Sequence, residues 1–278
     1  MFVAPLIGRA GLGNELFPLL RAADIAARES RVVLWPTWFQ LKIGPILRRE
    51  RDKRMYWILF RTPGLSSVLR LTWAKAHGVP YDGSSSSHPY VTVRGMEKYF
   101  DGVSISGPEF RDLLLAHARR GVVSPPLQEP YIAFHVRLGD FSRVGASESG
   151  VSKNNTSSPI EWFVARARAA RDAHPGIRMF VCSDGDDIEL APLLREPGVF
   201  RSTGRNALDD MVFMSHAAGI VGSRSTFSAW GAFLGDVPMV VQTGGDAYRP
   251  HARVWEASAD EAASDWDDEV RHRCMKAR

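Results

Sequence analysis

Four short apolar runs in the second half of this chain each stop abruptly in polar residues. YIAFHV (131–136) carries His135 and gives way to Arg137 and Asp140. IRMFVC (177–182) gives way to Ser183, Asp184, Asp186 and Asp187. GIVG (219–222) is followed by Ser223, Arg224, Ser225 and Thr226, and VPMVVQ (237–242) by Thr243, Gly244, Gly245 and Asp246. Brief apolar runs separated by helical patterns read as parallel strands buried on both faces. In an open parallel sheet, ligands bind beyond the carboxyl ends of the strands. The pattern therefore predicts one rim on which these polar side chains converge.

The first half repeats the alternation of strand and helix. MFVAPLI is a strand, GRAGLGN a turn, and Leu16, Leu20, Ala23 and Ala27 recur at helical spacing. RVVLW (31–35) and YVTV (90–93) read as further strands, and PEFRDLLLAHARR as a helix. The proline-rich GVVSPPLQEP (121–130) reads as a linker. The expected fold class is α/β, with two halves each built on a parallel sheet covered on both faces. Residues 1–124 are read as the first domain, 125–250 as the second, and 251–278 as a helical tail. Ser158 is expected to cap the helix of PIEWFVARARAARDAH, with Pro159 at its first position.

Several function classes drop out on composition. A net charge of +4, from 35 basic and 31 acidic residues, is small, and no recognition motif for nucleic acid is present. Cys182 and Cys274 are the two cysteines and lie far apart, so neither a disulfide framework nor zinc spacing follows, and a reducing compartment fits. No run approaches 18 apolar residues, and the N-terminus lacks the basic region of a signal peptide. A cytoplasmic protein is expected. Residues 42–61, KIGPILRRERDKRMYWILFR, mix cations with Ile, Leu, Trp and Phe. They suit peripheral contact with the inner face of a bacterial membrane, or with an anionic acceptor; the alternative is an exposed helix flank.

The residue types on the predicted rim fit an anionic ligand with a polar ring attached. Arg137 offers a planar fork of donors that suits a phosphate. SRSTFSAW places hydroxyls and unpaired backbone amides at a helix start, and GRAGLGN supplies another such start. Asp184 can accept from an amino group on a base or from ribose hydroxyls. The dinucleotide fingerprint would need glycine at 11, 13 and 16, and position 16 is Leu. Asp184 and Asp186 have the spacing of a metal–nucleotide pair, which leaves a metal role open. The reading is a nucleotide diphosphate held between two α/β halves.

Four segments, in family order, and a fifth more loosely, resemble the α-1,2-fucosyltransferase family and its wider relatives that use GDP-fucose. GLGNELF (11–17) resembles the family's GLGNQ-F turn, RGMEKYF (94–100) its S-E-K-Y-F segment, and HVRLGD (135–140) its H-x-R-R-G-D signature. SRSTFSAWGAFLG (223–235) resembles S-N-S-T-F-S-W-W-G-A-W-L, and VCSDGDD (181–187) loosely resembles F-S-D-D. The resemblance implies a GT-B-like fold, two Rossmann-like parallel-sheet domains facing across a cleft, with 1–124 the acceptor-side domain and 125–250 the nucleotide-sugar-binding domain. It implies an inverting, metal-independent transfer of fucose from GDP-fucose to a hydroxyl of an oligosaccharide or lipid-linked glycan, in bacterial surface polysaccharide synthesis, with no cofactor. It puts Arg137 on the donor diphosphate, with His135, Asp140, Ser183, Asp184, Arg224, Ser225, Thr226 and Phe227 as donor-binding neighbours. Gly11, Gly13 and Asn14 fall on the N-terminal turn, and Glu15 in the same turn is the expected catalytic base. Departures are Leu138 for the second arginine, Glu15 for glutamine, Ala229 for one tryptophan, and an inserted glycine in the aspartate segment. With Leu138 uncharged, either the donor site is weaker or the missing positive charge comes from Arg9 or Arg224; Arg224 is favoured, and arginine restored at 138 is then expected to substitute for it. Another GDP-sugar as donor is the alternative. An alternative of a different class is a catalytically weak sugar- or nucleotide-binding protein.

Overall fold

The computed structural model describes residues 1–8, 10–39, 55–83, 87–96, 98–138, 158–244 and 248–276. The chain divides into two compact units, Met1–Val122 and Val123–Arg278. The division falls inside the proline-rich stretch.

The first unit is built on strands β1 (Phe2–Leu6), β2 (Val32–Val33), β3 (Val79–Pro80) and β4 (Tyr90–Arg94) and helices α1 (Leu12–Glu29), α2 (Leu65–His77) and α3 (Gly107–His117). Its sheet runs β2-β1-β4-β3, all parallel. Alternation along the strands sorts the core into two layers. Val3, Val91 and Val93 pack with Ala22 and Ile25 of α1. Ala4 turns the other way and packs with Leu71 and Ala74 of α2. RVVLW pairs over only two residues, and Pro80, which lacks an amide hydrogen, sits on an edge strand where no ladder bond is needed. Ser106 caps α3 through a reciprocal capping box with Glu109.

The second unit holds β5 (Tyr131–Val136), β6 (Arg178–Ser183), β7 (Val199–Arg201), β8 (Gly219–Gly222), β9 (Met239–Gln242) and β10 (Val254–Ala257). These strands form one parallel sheet, β10-β9-β8-β5-β6-β7. Its helices are α4 (Ile160–Ala173), α5 (Ala191–Leu194), α6 (Ala207–Ser215), α7 (Thr226–Gly235) and α8 (Ser264–Lys276). Every residue of β5 is buried. Ile132, Phe134 and Val136 share a core with Trp162 and Phe163 of α4 and Trp266 and Val270 of α8. The alternate residues Tyr131 and His135 contact Phe213 of α6 and Phe227 of α7. Truncating a side chain such as Phe134 to alanine costs about 3–5 kcal/mol.

Two expectations are corrected. Residues 251–278 are more than a helical tail: β10 pairs in register with β9 and extends the sheet. Ser158 does not cap α4, whose N-cap is Pro159 without a side-chain bond; the Ser158 hydroxyl is buried with no hydrogen-bond partner among the described residues.

Candidate active site at the β5–β6–β8 rim

Register brings the polar residues together. Val136 pairs with Ser183, and His135 with both Cys182 and Gly222. Arg137, Asp184 and Ser223 therefore follow immediately on three adjacent strands. The Arg137 amide donates to Ser223 Oγ at 2.9 Å, and Ser223 Oγ donates to the His135 carbonyl at 3.0 Å. The Leu138 amide donates to Asp184 Oδ1 at 2.9 Å, while Arg137 Nη1 lies 3.0 Å from Asp184 Oδ2. The two side chains of this pair are about a quarter exposed, at 26% and 22%. The carboxylate thus fixes both the backbone and the guanidinium at the end of β5.

His135 lies beneath this pair. Its Nδ1 is 2.6 Å from Ser228 Oγ and 3.5 Å from Ser225 Oγ, and its ring stacks on Phe227 with centroids 5.0 Å apart. Burial lowers its pKa from 6.5 to about 4, outweighing the Asp184 charge that favours the imidazolium, with the Arg137 charge adding to the depression. The ring is neutral at pH 7. Ser225 caps α7 by accepting from the Ser228 amide at 3.2 Å, and Thr226 is the first residue of the helix. Gly222 permits this close approach, because a Cβ there would stand 3.0 Å from Ser228 Cβ.

On the β6 side, Ser183 Oγ accepts from the Gly185 amide at 3.0 Å, and Arg201 Nη2 donates to the Ser183 and Gly185 carbonyls. Asp186 is engaged locally, its Oδ1 accepting from the Glu189 amide at 2.8 Å. Leu138 packs against the main core, and a Cβ on the inserted Gly185 would lie 2.5 Å from its Cδ1. The leucine that replaces an arginine is thus partly buried against the core, beneath a glycine that makes room for it. Arg224 Nη1 is buried beside Gly244, at the end of β9, without a hydrogen-bond partner among the described residues. Asp140, Gly245 and Asp246 lie outside the described residues.

The glycine turn of the first unit is closed by its own chain. Glu15 is buried, and its carboxylate accepts from the Gly8 amide at 2.5 Å and the Ala10 amide at 2.6 Å. The Leu12 amide donates to the Tyr56 hydroxyl at 2.7 Å. Gly11 is the N-cap of α1, with Gly13 buried and Asn14 half-buried in its first turn. Leu16, where a dinucleotide fingerprint would need glycine, is fully buried. These amides are engaged internally instead of standing open to a phosphate.

One acidic residue was not singled out by sequence. Asp210 of α6 accepts from Ser202 Oγ at 3.4 Å and hydrogen-bonds Cys182 at the end of β6. Burial raises its pKa from 3.8 to about 6, with the nearby Asp209 charge adding to the rise. A Cβ at Gly204 would sit 1.8 Å from Asp210 Oδ1, so a glycine at 204 makes this environment. The visible sign in the sequence is Asn206 before Asp209–Asp210, a helix cap followed by acid, which by itself points only to a helix start. Asp209 is fully used, accepting from the Ser124 amide and hydroxyl and the Arg205 amide.

No protein-family model matches the chain, and no curated protein does. Solved structures similar to it include the fucosyltransferase NodZ from Bradyrhizobium, at 16% identity over 86% of this chain and 94% of that one, TM-score 0.44. POFUT1 in complex with GDP is 14% identical over 92% and 96%, TM-score 0.46. The E. coli heptosyltransferase WaaC with ADP is 13% identical over the whole of both chains, TM-score 0.47. Likeness of this degree fixes neither family nor substrate. The class rests on the chain's own architecture: two α/β units, each on a parallel sheet, the second with charged and hydroxyl side chains gathered at its strand ends.

Proposed function

We propose that this chain is a glycosyltransferase that uses a nucleotide diphosphate sugar, GDP-fucose, and transfers the sugar with inversion to a hydroxyl of a glycan acceptor. The observation that carries the reading is the Arg137–Asp184 pair at the ends of adjacent strands β5 and β6, with β8 and the start of α7 on the other side of β5. HVRLGD and VCSDGDD, two of the segments through which the chain resembles GDP-fucose enzymes, supply this pair, and STFS supplies the start of α7.

Breaking the bond from the sugar carbon to the diphosphate builds negative charge on the leaving group. Arg137, held in place by Asp184 and by its amide on Ser223, is preorganised to stabilise that charge. The start of α7 adds backbone dipoles of the same sign. Neutral His135 supports this end of the sheet by packing under Phe227 and bonding Ser228, and carries no charge that would compete with the arginine. The acceptor hydroxyl oxygen bonds to the sugar carbon from the opposite face as the bond from that carbon to the diphosphate breaks; GDP leaves with the bonding pair and the hydroxyl proton passes to water. We give Glu15 a positioning role, because both carboxylate oxygens already hold backbone amides. Asp184, about a quarter exposed, is the carboxylate offered to the nucleoside.

A thermal-shift panel of GDP, UDP, GDP-fucose and GDP-mannose tests the reading. Stabilisation by the guanosine ligands and not by UDP supports it, with GDP-fucose above GDP-mannose assigning the sugar. Stabilisation by UDP alone overturns it, and GDP-mannose above GDP-fucose moves the donor to the alternative sugar.

A further inference from the structure

The core-facing side of α2 is set by Leu71 and Ala74, which pack with Ala4 and Leu34. At about 100° per residue, Leu65, Leu69 and Trp73 fall within an arc of about 80° on the opposite side of the helix. They are 75%, 62% and 55% exposed. An ordinary surface helix carries polar residues there. Trp57 and Ile58, in the short turn before the helix, are exposed as well. The apolar arc is bordered by a cation on each side, Arg70, whose guanidinium lies 4.6 Å over the Phe2 ring, on one flank and Lys75 on the other. Residues 55–81 contain Arg61, Arg70 and Lys75 and no aspartate or glutamate.

This combination selects one occupant. Three side chains of a single helix offer well under the roughly 800 Å² per partner of a stable protein interface. A second copy would also bring the same cations and no acids to the contact. A sheet of anionic lipid headgroups complements the cations, and its acyl boundary takes the leucines and the tryptophan, a side chain that favours that boundary. We propose that the outer face of α2 docks on an anionic lipid bilayer, the helix lying in the plane of the interface with Leu65, Leu69 and Trp73 inserted and Arg70 and Lys75 at headgroup level. This surface is separate from residues 42–54, which lie outside the described residues, and it does not depend on the glycosyltransferase reading.

The test is co-sedimentation of the full chain with vesicles of phosphatidylcholine alone and of phosphatidylcholine with phosphatidylglycerol. The wild type should bind the anionic vesicles at least about tenfold more strongly, and less so as salt is raised. Leu69→Glu and Trp73→Glu should each weaken binding by about tenfold or more, and Lys75→Glu by roughly fivefold, with unchanged circular dichroism and melting temperature. Equal sedimentation of wild type and Leu69→Glu would overturn the proposal. So would equal binding to both vesicle types, or a wild-type dimer by light scattering that Leu69→Glu dissociates while neither binds vesicles.

Discussion

Arg137 and Asp184 meet at 3.0 Å across the carboxyl ends of neighbouring parallel strands, and the same carboxylate accepts the amide of Leu138. Two short runs far apart in sequence are thereby locked into one donor-and-acceptor site. The pair is partly open to solvent, so its own contribution to stability is small, about 0–1 kcal/mol. Arg137→Ala should therefore unfold at nearly the wild-type urea concentration while release of GDP from GDP-fucose slows by about 10²–10³-fold. Turnover near the wild-type rate removes Arg137 from catalysis.

Glu15 separates a positioning role from a base. Glutamine offers one acceptor oxygen where two amides need partners, so Glu15→Gln should lose about 1–3 kcal/mol of stability in denaturant titration. The turnover of the folded variant should fall by much less than the roughly 10²–10⁴-fold expected for loss of a general base. A large fall in kcat at unchanged stability would return Glu15 to the role of base.

Leu138 and Arg224 are assigned separate roles, packing for the first and donor binding for the second. Arg224→Ala should weaken GDP binding about tenfold, near 1.4 kcal/mol, measured by calorimetry. Leu138 packs on the core edge beside Gly185, so Leu138→Arg should lose that packing, lower the melting temperature and fail to rescue Arg224→Ala. Rescue of GDP binding in the double variant would mean that position 138 faces the ligand.

Two buried groups give opposite pH signatures. The unfolded chain takes up a proton on His135 below 6.5, whereas the folded one resists to about 4. Its contribution is whole above pH 6.5 and drains as pH falls toward 4. Asp210 behaves in reverse: protonated in the fold up to about 6, it contributes most below 3.8, and stability is lost as pH rises through 6. Relative to wild type, His135→Gln should gain stability as pH drops from 6.5 to 4, and Asp210→Asn should gain as pH rises from 4 to 7. Denaturant midpoints that run parallel to wild type across this range contradict both assignments.

Metal removal probes where the diphosphate charge is met. Activity should survive excess EDTA, because Arg137 and backbone dipoles balance that charge. Collapse with EDTA and recovery with Mg²⁺ or Mn²⁺ would shift the role to the aspartates after β6.

The sequence makes strands β5, β6, β8 and β9 legible because strands buried on both faces are uninterrupted apolar runs, and their polar ends are what register then aligns. Strands β3 and β7 span two and three residues, too few for any period to register, and β10 lies in a stretch read as tail. The inward turn of Leu138 and the burial of Asp210 depend on the room left by Gly185 and Gly204, contacts between segments that no local pattern records. Ser158 failed as a cap for a related reason: the helix begins after Pro159, and its hydroxyl is buried instead of facing the first turn.

The central claim, that the rim around Arg137 holds a guanosine diphosphate group, is tested most directly by calorimetric titration of GDP into the wild type and into Arg137→Ala. The account predicts saturable binding by the wild type and a dissociation constant at least about tenfold higher in the variant, the cost of one charge-assisted contact. Equal dissociation constants in the two proteins, or no binding of GDP by the wild type, would contradict it.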